Sequence, residues 1–273
     1  MTRQRGRVFL VGAGPGDPGL ITVKGLQLLR QADVVVHDRL IPHELLDELK
    51  PDAHIIDVGK YPGRPRHSQD EINALLIEQA GHGSLVIRLK GGDPLLFGRG
   101  WEEFVACLQA GVACEIVPGV SSALAVPASA NIPVTLRKVS RTVAVVTAQS
   151  EDGRGADALN YDALAGMETI VVLMGLANLR VVVERLVAAG RDPQTPAACI
   201  ERGTMPQQRV VTGNLETIAN LADEAQLESP TTTVIGEVVR QAALCPTDLE
   251  QSSILNQTLH PLSRSAIPPA ASA

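Results

Sequence analysis

Residues 8–22 read VFLVGAGPGDPGLIT and join an apolar run to a glycine-rich turn and the start of a helical pattern. A second apolar run, ADVVVHD, follows and ends at Asp38. A buried strand, a tight glycine turn and a helix are typical of the first unit of an α/β fold built on a parallel sheet. Ligands bind such sheets beyond the carboxyl ends of the strands, so the glycine turn is a candidate ligand loop.

The glycine turn departs from the pattern that binds dinucleotides. That pattern, G-x-G-x-x-G, requires a third glycine where this chain has Asp17. Pro15 removes a backbone N–H from the loop, and the Asp17 carboxylate adds negative charge where phosphates would lie. Asp17 instead suits a helix N-cap, with Pro18 at the first helical position. A nucleotide-binding dehydrogenase is therefore a disfavoured alternative, and a tight turn without a ligand stays open.

Length and composition limit the classes of function. The chain has 273 residues, of which 45% are hydrophobic, enough for one large domain or two small ones. Its net charge of −6 argues against a general nucleic-acid or anionic-membrane surface. Aromatic residues make up only 2% of the chain, which leaves few platforms for stacking bases. We expect no nucleic-acid partner and no membrane partner.

The cysteines and the N-terminal segment predict a cytoplasmic protein. The four cysteines stand singly, and we expect them to be reduced rather than to form disulfides or a zinc site. The first apolar run is interrupted by Gly12, Gly14 and Pro15, so it does not fit a signal peptide. We find no uncharged apolar stretch long enough to span a membrane.

Apolar runs alternate with helical patterns in two series along the chain. Strands are predicted at 8–12, 33–37, 54–58, 84–89 and 113–117, and then at 142–147, 169–174, 196–200, 208–212 and 232–238. Helices are predicted at 18–31, 69–80, 100–110, 178–189 and 214–224. A change of composition at 128–141 predicts two α/β domains, 1–130 and 131–245, with a crevice between them. Residues 246–273 are rich in Pro, Ser and Ala and are predicted to be disordered.

Four polar loops fall at predicted carboxyl ends of strands, and KGGDPLLFGRG at 90–100 is the most informative of them. Gly91 and Gly92 allow a backbone to approach a ligand closely, and Asp93 supplies a carboxylate. Arg99 and Glu102 follow where a helix is predicted to begin. The letters GGDP alone fit a capped turn equally well.

Basic residues concentrate in these loops and in the segment between the predicted domains, which favours an anionic small molecule as ligand. They are Lys60, Arg64, Arg66, His67, Lys90, Arg99, Arg137, Lys138 and Arg141. Any one of them alone is more simply a solvated charge.

Two ionisable residues lie at the ends of adjacent predicted strands. Asp38 ends the second strand and Lys60 ends the third. The pair fits a proton acceptor and a proton donor that face one cavity, and a salt bridge is the simpler interpretation.

Taken together, the motifs resemble one family, the uroporphyrinogen-III C-methyltransferases among the tetrapyrrole methylases. The stretches that carry the resemblance run in order from residue 8 to about 240: VGAGPGDPGLITVKG, ADVVVHDRL, VGK, QDEIN, RLKGGDPLLFGRG, VPGVSSALAVPA, IPVTLR, LMGL and SPTTTVIGEVV. GAGPGDP is shared with several tetrapyrrole methylases. KGGDPLLFGRG is more specific, because methylases that act later in corrin synthesis look more like SGDP and lack the arginine motif.

The resemblance implies an α/β fold of two domains of the tetrapyrrole methylase type and a homodimer. It implies S-adenosylmethionine in the interdomain cleft, S-adenosylhomocysteine as its product, and no metal. The implied reaction is methylation of uroporphyrinogen III at C2 and C7, which gives precorrin-2 by way of precorrin-1. Precorrin-2 feeds sirohaem, cobalamin or haem d1, and the sequence does not distinguish these destinations.

The resemblance also assigns roles to residues. Asp38 is implied as the proton acceptor and Lys60 as the proton donor, while Arg99 and Glu102 fall on the arginine motif beside the substrate. The residues implied on the substrate side are Arg99, Arg137 and Met174. The implied cofactor-binding residues are Pro15, Gly91, Gly92, Asp93, Leu96, Ser121, Ser122, Met174, Gly203 and Thr232.

Five positions depart from the family pattern. In this chain His37 occupies the position of a tyrosine in the family pattern, Trp101 that of a glycine and Ser121 that of a threonine. Leu136 occupies the position of the histidine of THRG, and Gln149 that of the histidine of TGH. Two alternatives therefore stay open: another S-adenosylmethionine-dependent precorrin methylase, and a non-catalytic protein that binds a tetrapyrrole.

Overall fold

Ten strands form two sheets of five strands each in the computed structural model, which describes residues 6–59, 67–149 and 155–244. The strands are β1 (Arg7–Gly12), β2 (Val34–His37), β3 (His54–Asp57), β4 (Leu85–Lys90) and β5 (Ala113–Val117) in the first sheet, and β6 (Val143–Thr147), β7 (Thr169–Leu173), β8 (Pro196–Glu201), β9 (Arg209–Asn214) and β10 (Thr231–Ile235) in the second. Each strand coincides with one predicted apolar run, and the predicted α/β fold class is confirmed. The predicted tail, 246–273, lies outside the described residues.

Helices occupy the connections between the strands. They are α1 (Val23–Leu29), α2 (His43–Leu46), α3 (Gln69–Gly81), α4 (Gly100–Gln109), α5 (Ser122–Ser129), α6 (Tyr161–Ala165), α7 (Leu179–Ala188) and α8 (Ile218–Glu224), with 3₁₀ turns at Pro18–Leu20, Gly155–Ala158, Leu176–Asn178 and Glu237–Leu244. The helix predicted at 18–31 is divided, because Asp17 caps the first 3₁₀ turn and Thr22 caps α1 separately. Within the three described ranges, no helix has the length and apolar character needed to cross a bilayer.

The first sheet is parallel throughout, in the order β3-β2-β4-β1-β5. Alternation along its strands produces two apolar faces. Leu10 and Val86 pack with α3 and α4, whereas Val11 and Ile87 pack with α1 and α2. Because both faces are covered, the strands consist of nearly continuous apolar residues.

The second sheet is mixed, in the order β6-β7-β10-β8-β9. β6 and β7 are parallel, and every other neighbouring pair is antiparallel. The first residues of β10 therefore lie beside the carboxyl ends of β7 and β8, and Thr232 pairs with Leu173 and Ile200. One face of the sheet is covered by α6, α7 and α8, and the other by α5 and Glu237–Leu244.

Helix α5 connects the two sheets. It follows β5 of the first sheet, yet Ala123 packs with Leu173 and Val126 packs with Ile200 of the second sheet. The predicted boundary between 130 and 131 falls just after this helix, and the boundary itself stays a prediction.

Candidate active site

The candidate site lies at the carboxyl-end edge of the first sheet, where the loops after β1 and β4 meet. The Gly14 N–H donates to the Gly92 carbonyl at 3.3 Å, and the Gly92 N–H donates to the Gly14 carbonyl at 2.7 Å. Gly14 has φ of 83° and Gly92 has φ of 66°, in the left-handed region that favours glycine. The motifs GAGPGDP and KGGDPLLFGRG therefore form one structural unit.

Two further glycines bring the loop after β5 to the same place. A Cβ at Gly12 would lie 2.5 Å from the Cα of Gly119, and a Cβ at Gly119 would lie 2.2 Å from the Gly92 carbonyl oxygen. No side chain fits between these backbones. Glycine at these positions is required because one loop packs directly on another.

Gly91 faces open space instead. Nothing in the described chain lies within 4 Å of a Cβ built at Gly91, and a Cβ built at Gly92 comes no closer than 3.9 Å to the Ser122 backbone nitrogen. Bare backbone beside open space allows a ligand to approach closely. The loop after β4 is thus packed against backbone on one side and open on the other.

Asp93 holds the shape of this loop. Its Oδ1 accepts hydrogen bonds from the Leu95 and Leu96 N–H groups at 2.8 and 3.2 Å. Its Oδ2 accepts a hydrogen bond from the Gly119 N–H at 3.1 Å. The capped turn that GGDP predicts is present, and the same carboxylate joins the loop after β4 to the loop after β5.

Three predicted cofactor residues lie at one edge of the second sheet. Met174 follows β7 with φ of 52° and a 47% exposed side chain, Gly203 follows β8, and Thr232 is buried near the start of β10. Gly203 packs so closely on α5 that a Cβ would lie 2.3 Å from Cγ1 of Val126. The mixed strand directions therefore bring these three positions to one edge.

The edges of the two sheets meet at the glycine loop after β1. The Asp17 N–H donates to Thr204 Oγ1 at 3.2 Å, and a Cβ at Gly16 would lie 2.7 Å from Cγ of Met205. Ser121 caps α5, whose first turn lies beside Gly92. The predicted cofactor residues lie on the loops and element ends at these two edges: Pro15, Gly91, Gly92, Asp93, Leu96, Ser121 and Ser122 on one edge, and Met174, Gly203 and Thr232 on the other.

Asp38, the predicted proton acceptor, follows β2 at the same edge and pairs with a buried arginine. Arg88 Nη2 lies 2.5 Å from Asp38 Oδ1, and Arg88 Nε lies 3.0 Å from Glu103 Oε1. Lys90 Nζ lies 3.0 Å from the same Glu103 oxygen. Arg88, Lys90 and Glu103 are at most 3% exposed, whereas the Asp38 side chain is 35% exposed. A series of charges thus runs from the interior to the edge and ends at Asp38.

Asp38 thus forms a salt bridge with Arg88, a partner that the sequence analysis did not name. The salt bridge predicted between Asp38 and Lys60 stays a prediction, because Lys60, the predicted proton donor, lies outside the described residues. The same is true of Arg64 and Arg66 from the predicted basic loop.

The pKa values of the two interior cations shift in opposite directions. Burial, and after it the charge of Arg88, lowers the pKa of Lys90 in spite of its pairing with Glu103. Burial alone would lower the pKa of Arg88, but the charges and hydrogen bonds of Asp38 and Glu103 outweigh it and raise the pKa. Arg88 therefore stays charged in a layer where an unpaired charge would be costly.

Arg99 precedes α4 and has φ of 58°. Its Nε donates to Glu102 Oε1 at 2.8 Å and its Nη2 donates to Glu102 Oε2 at 2.6 Å, a two-point pair across one helical turn. The hydrogen bond from Arg99 lowers the pKa of Glu102. The Gly100 N–H donates to the Pro94 carbonyl at 2.9 Å, so the start of α4 is joined to the KGGDP loop.

Arg137 lies away from this edge. It is exposed in a turn closed by hydrogen bonds between Leu136 and Ser140. Ser140 Oγ contacts Thr169 Oγ1 at 2.7 Å, at the amino end of β7. About 13 Å of strand separates Thr169 from Leu173, the residue before Met174. Within one chain, Arg137 is therefore not brought together with the other predicted substrate residues.

The sequence-based interpretation overlooked Arg88 and Glu103 and was wrong to place Lys90 among the loop cations. Lys90 ends β4, and alternation along that strand turns it to the same face as Val86 and Arg88, toward α4. A signal was available. Arg88 interrupts the apolar run LVIRLK, and Glu103 lies four residues before Cys107 on the buried side of α4. Opposite charges at buried positions of a strand and a helix predict an ion pair.

The edges of two five-stranded sheets meet at glycine loops, and an ion-paired aspartate lies beside them. This arrangement defines an α/β protein of two halves with a candidate ligand site at their junction. Residues 7–219 match the family model of the Tetrapyrrole (Corrin/Porphyrin) Methylases. The chain belongs to this family, and the resemblance predicted from its motifs is confirmed.

The curated relatives have more specific names. The chain is 47% identical over 235 residues to the uroporphyrinogen-III C-methyltransferase of Priestia megaterium, covering 86% of this chain and 98% of that protein. It is 44% identical over 240 residues to the S-adenosyl-L-methionine-dependent uroporphyrinogen III methyltransferase of Methanosarcina barkeri, covering 88% of this chain and 94% of that protein.

Solved structures that resemble this chain are also named as methyltransferases. The uroporphyrin-III C-methyl transferase of Thermus thermophilus complexed with S-adenyl homocysteine is 39% identical, with a TM-score of 0.75 over 86% of this chain and 99% of that one. A cobalt precorrin-4 methyltransferase is 28% identical, with a TM-score of 0.75 over 85% of this chain and 95% of that one. Of these two, the enzyme named for uroporphyrin III is the more similar in sequence.

Proposed function

We propose that this chain transfers methyl groups from S-adenosylmethionine to uroporphyrinogen III at C2 and C7, giving precorrin-2 by way of precorrin-1. The observation that carries the proposal is the open space beside Gly91, at the junction of the two sheets and on the same strand edge as Asp38. The names of the curated relatives support the substrate, and the Thermus thermophilus complex supports the cofactor.

The residues at the junction fit S-adenosylmethionine. This cofactor has no phosphate, so Pro15 and Asp17 are no obstacle in the glycine loop. The bare backbone at Gly91 and Gly92 leaves room for close approach. When bound, S-adenosylmethionine supplies an activated methyl group on a sulfonium sulfur. We assign it to the interdomain cleft, with the residues Pro15, Gly91, Gly92, Asp93, Leu96, Ser121, Ser122, Met174, Gly203 and Thr232.

The contribution of the chain to methyl transfer is positioning. Transfer to carbon requires two reactants held in line and water kept out. Backbone hydrogen bonds between Gly14 and Gly92, together with Asp93, fix the loops after β1, β4 and β5 to one another before any ligand binds. Exposed apolar side chains at Leu95 and Phe97 provide contact surface for the macrocycle beside these loops.

Asp38 is the proposed proton acceptor. After the methyl group joins a pyrrole carbon, a proton must leave the macrocycle, and a carboxylate at the site can accept it. Arg88 binds Oδ1 of Asp38, and Oδ2 has no hydrogen-bond partner among residues 6–59, 67–149 and 155–244. We therefore assign proton transfer to Oδ2. The proposed proton donor, Lys60, rests on the resemblance alone.

Arg99 and Glu102 are the proposed catalytic pair on the substrate side. Uroporphyrinogen III carries eight carboxylates, and a guanidinium already held by Glu102 is pre-oriented to bind one of them. Met174 is proposed to contact the substrate at this edge. Arg137 is proposed to contact the substrate as well, although it lies away from this edge within one chain. For Arg137, and for assembly as a homodimer, the support is the resemblance to the family.

The test is incubation of the purified chain with S-adenosylmethionine and enzymatically generated uroporphyrinogen III without oxygen. Mass analysis should find a product with two added methyl groups, together with S-adenosylhomocysteine. A ¹³C-labelled methyl donor and NMR of the product should place the label at C2 and C7.

The alternatives give different results in the same assay. Binding of tetrapyrrole without turnover would identify a non-catalytic binding protein. Methylation of a later precorrin but not of uroporphyrinogen III would identify another methylase. Calorimetry that found NAD binding and no S-adenosylmethionine binding would refute the proposal that the chain is an S-adenosylmethionine-dependent methyltransferase.

A further inference from the structure

The buried charges behind Asp38 form a group with no part yet in the proposed reaction. Arg88, Lys90 and Glu103 lie between the first sheet and the helices α3 and α4, beside a cluster of buried apolar residues. Apolar residues of similar volume often make such a layer equally stable or more stable. Ionisable groups that are buried at a functional edge are candidates for a functional role.

Glu103 gathers its donors on a single oxygen. Its Oε1 accepts hydrogen bonds from Arg88 Nε at 3.0 Å, from Lys90 Nζ at 3.0 Å and from Gln69 Nε2 at 3.2 Å. Its Oε2 is buried and has no hydrogen-bond partner in the described parts of the chain. Glu103 thus holds Arg88 from the helix side, by a contact between α4 and β4.

The rest of the Arg88 guanidinium is also engaged. Nη1 donates to the backbone carbonyls of Val36 and Leu89 at 3.4 and 3.3 Å, on β2 and β4. Nη2 donates to Asp38 Oδ1 at 2.5 Å. With all three nitrogens in contact, the plane of the guanidinium is fixed, and it fixes the position of Oδ1 in turn.

We propose that Arg88 is a positioning residue for Asp38 and that Glu103 holds Arg88 in place. The inference rests on the proposed function, in which Asp38 accepts the proton. Arg88 binds Oδ1 and leaves Oδ2 for a proton of the methylated macrocycle. The methylated pyrrole carbon already carries a side chain and has no hydrogen, so the proton comes from a neighbouring bridging carbon. That C–H bond breaks, its electron pair neutralises the cation that methylation leaves on the macrocycle, and the O–H bond forms at Oδ2. Asp38 is partly exposed, so the proton can then pass to water.

The experiment is a double-mutant cycle of Arg88→Lys with Asp38→Asn. Lysine keeps the charge but lacks the planar fork that spans Glu103 and Asp38. We expect Arg88→Lys to lower kcat about tenfold and to leave the affinity for S-adenosylmethionine within about twofold. We expect Asp38→Asn to lower kcat further. If Arg88 acts through Asp38, the double variant is no slower than Asp38→Asn alone.

The matched control is Asp33→Asn, at the other end of β2, where the carboxylate pairs with Lys50. It should leave kcat unchanged. Only variants that bind S-adenosylmethionine with wild-type affinity are used in the cycle. This criterion separates variants that fail to fold from variants in which Asp38 is folded but misplaced. If Arg88→Lys fails this criterion, Glu103→Gln replaces it, because the amide keeps the shape of the side chain and removes its charge.

The outcomes separate this inference from the function on which it rests. An Arg88→Lys enzyme with wild-type kcat, or a double variant whose loss is the product of the two single losses, overturns the inference. A wild-type chain that makes no methylated product refutes the proposed function instead. Full turnover in Asp38→Asn refutes the role of Asp38 and the inference with it.

Discussion

Strand β2 has an aspartate at each end, and the two carboxylates have different surroundings. Asp33, at the amino end, pairs with Lys50 on the surface and accepts the Leu85 N–H at 2.7 Å. Asp38, at the carboxyl end, pairs with a buried arginine and keeps one oxygen without a partner in the described chain. The first contact joins a strand to a neighbouring segment. The second connects interior charge to the edge where the loops meet. Surroundings, more than residue type, distinguish a structural carboxylate from a candidate base.

The largest expected effect comes from removing the candidate base. Asp38→Asn should lower kcat about 100- to 10,000-fold, because an amide cannot accept the proton. Calorimetry should find S-adenosylmethionine affinity unchanged, and Asp33→Asn, the same substitution at the other end of β2, should leave kcat within about twofold. Equal losses in the two variants would break the contrast between the ends of the strand.

Substitutions of Arg99 test the proposed role of this residue in binding substrate at the same edge of the sheet. Arg99→Lys should lower kcat/KM for uroporphyrinogen III by about 10- to 100-fold, because lysine replaces a two-point donor with a point charge. Arg99→Ala should be worse and Glu102→Gln intermediate. The control is Arg30→Lys, which alters a surface pair with Glu48 at the amino-end side of β2. A parallel fall in S-adenosylmethionine affinity would contradict the assignment to the substrate side.

Substitution of Gly91 by alanine is expected to have a smaller effect, and it tests whether the open space beside this residue binds the cofactor. Gly91→Ala should lower the affinity for S-adenosylmethionine about tenfold and leave the melting temperature unchanged, since the added methyl enters open space. Gly81→Ala in α3, which also meets nothing within 4 Å in the described chain, is the matched control. Gly119→Ala should instead destabilise the fold, because its Cβ would lie 2.2 Å from a carbonyl oxygen. Unchanged affinity in Gly91→Ala would exclude this space as the cofactor site.

The smallest effect is expected for Asp33 itself, and it concerns stability. The hydrogen bond from Lys50, and after it the Leu85 N–H, hold the pKa of Asp33 below its ordinary value of 3.8. A lowered pKa in the folded state contributes stability above about pH 4, which is lost as the pH falls through the folded pKa. Asp33→Asn should therefore lower the melting temperature at pH 7 by about 2 °C or less. Thermal unfolding should show a difference from wild type that shrinks below pH 4, and a difference that did not depend on pH would count against this account.

Much of the fold could be predicted from the sequence, because a strand covered on both faces must consist of nearly continuous apolar residues. Buried strands such as β2, β7 and β10 follow that rule. The more exposed edge strands β3 and β9 were predicted from their apolar runs although they are not covered on both faces. The direction of a strand could not be predicted, because the same apolar run fits a parallel and an antiparallel pair. The antiparallel placement of β10, which brings Thr232 to the ends of β7 and β8, therefore required the structure.

The candidate site was predicted less completely than the fold. The glycine motifs were found because their turns are local in sequence. The pairing of Gly14 with Gly92, and the distinction between Gly119 and Gly91, depend on which loops meet in space. Arg88 was missed because its partner Glu103 lies 15 residues away on α4, so the signal appears only when the charges of the strand and the helix are considered together.

Helix α5 has a consequence for how this molecule can be divided into pieces. A fragment that ended at residue 130 would carry the apolar side of α5, with Ala123 and Val126, but not the sheet that covers it. That surface would be exposed to water and would favour aggregation. If the first fragment ended before Ser121, α5 would stay in the second fragment, together with the second sheet on which it packs. Split versions and circular permutants of this fold should therefore place their break ahead of α5, because the chain has already joined its second half when that helix begins.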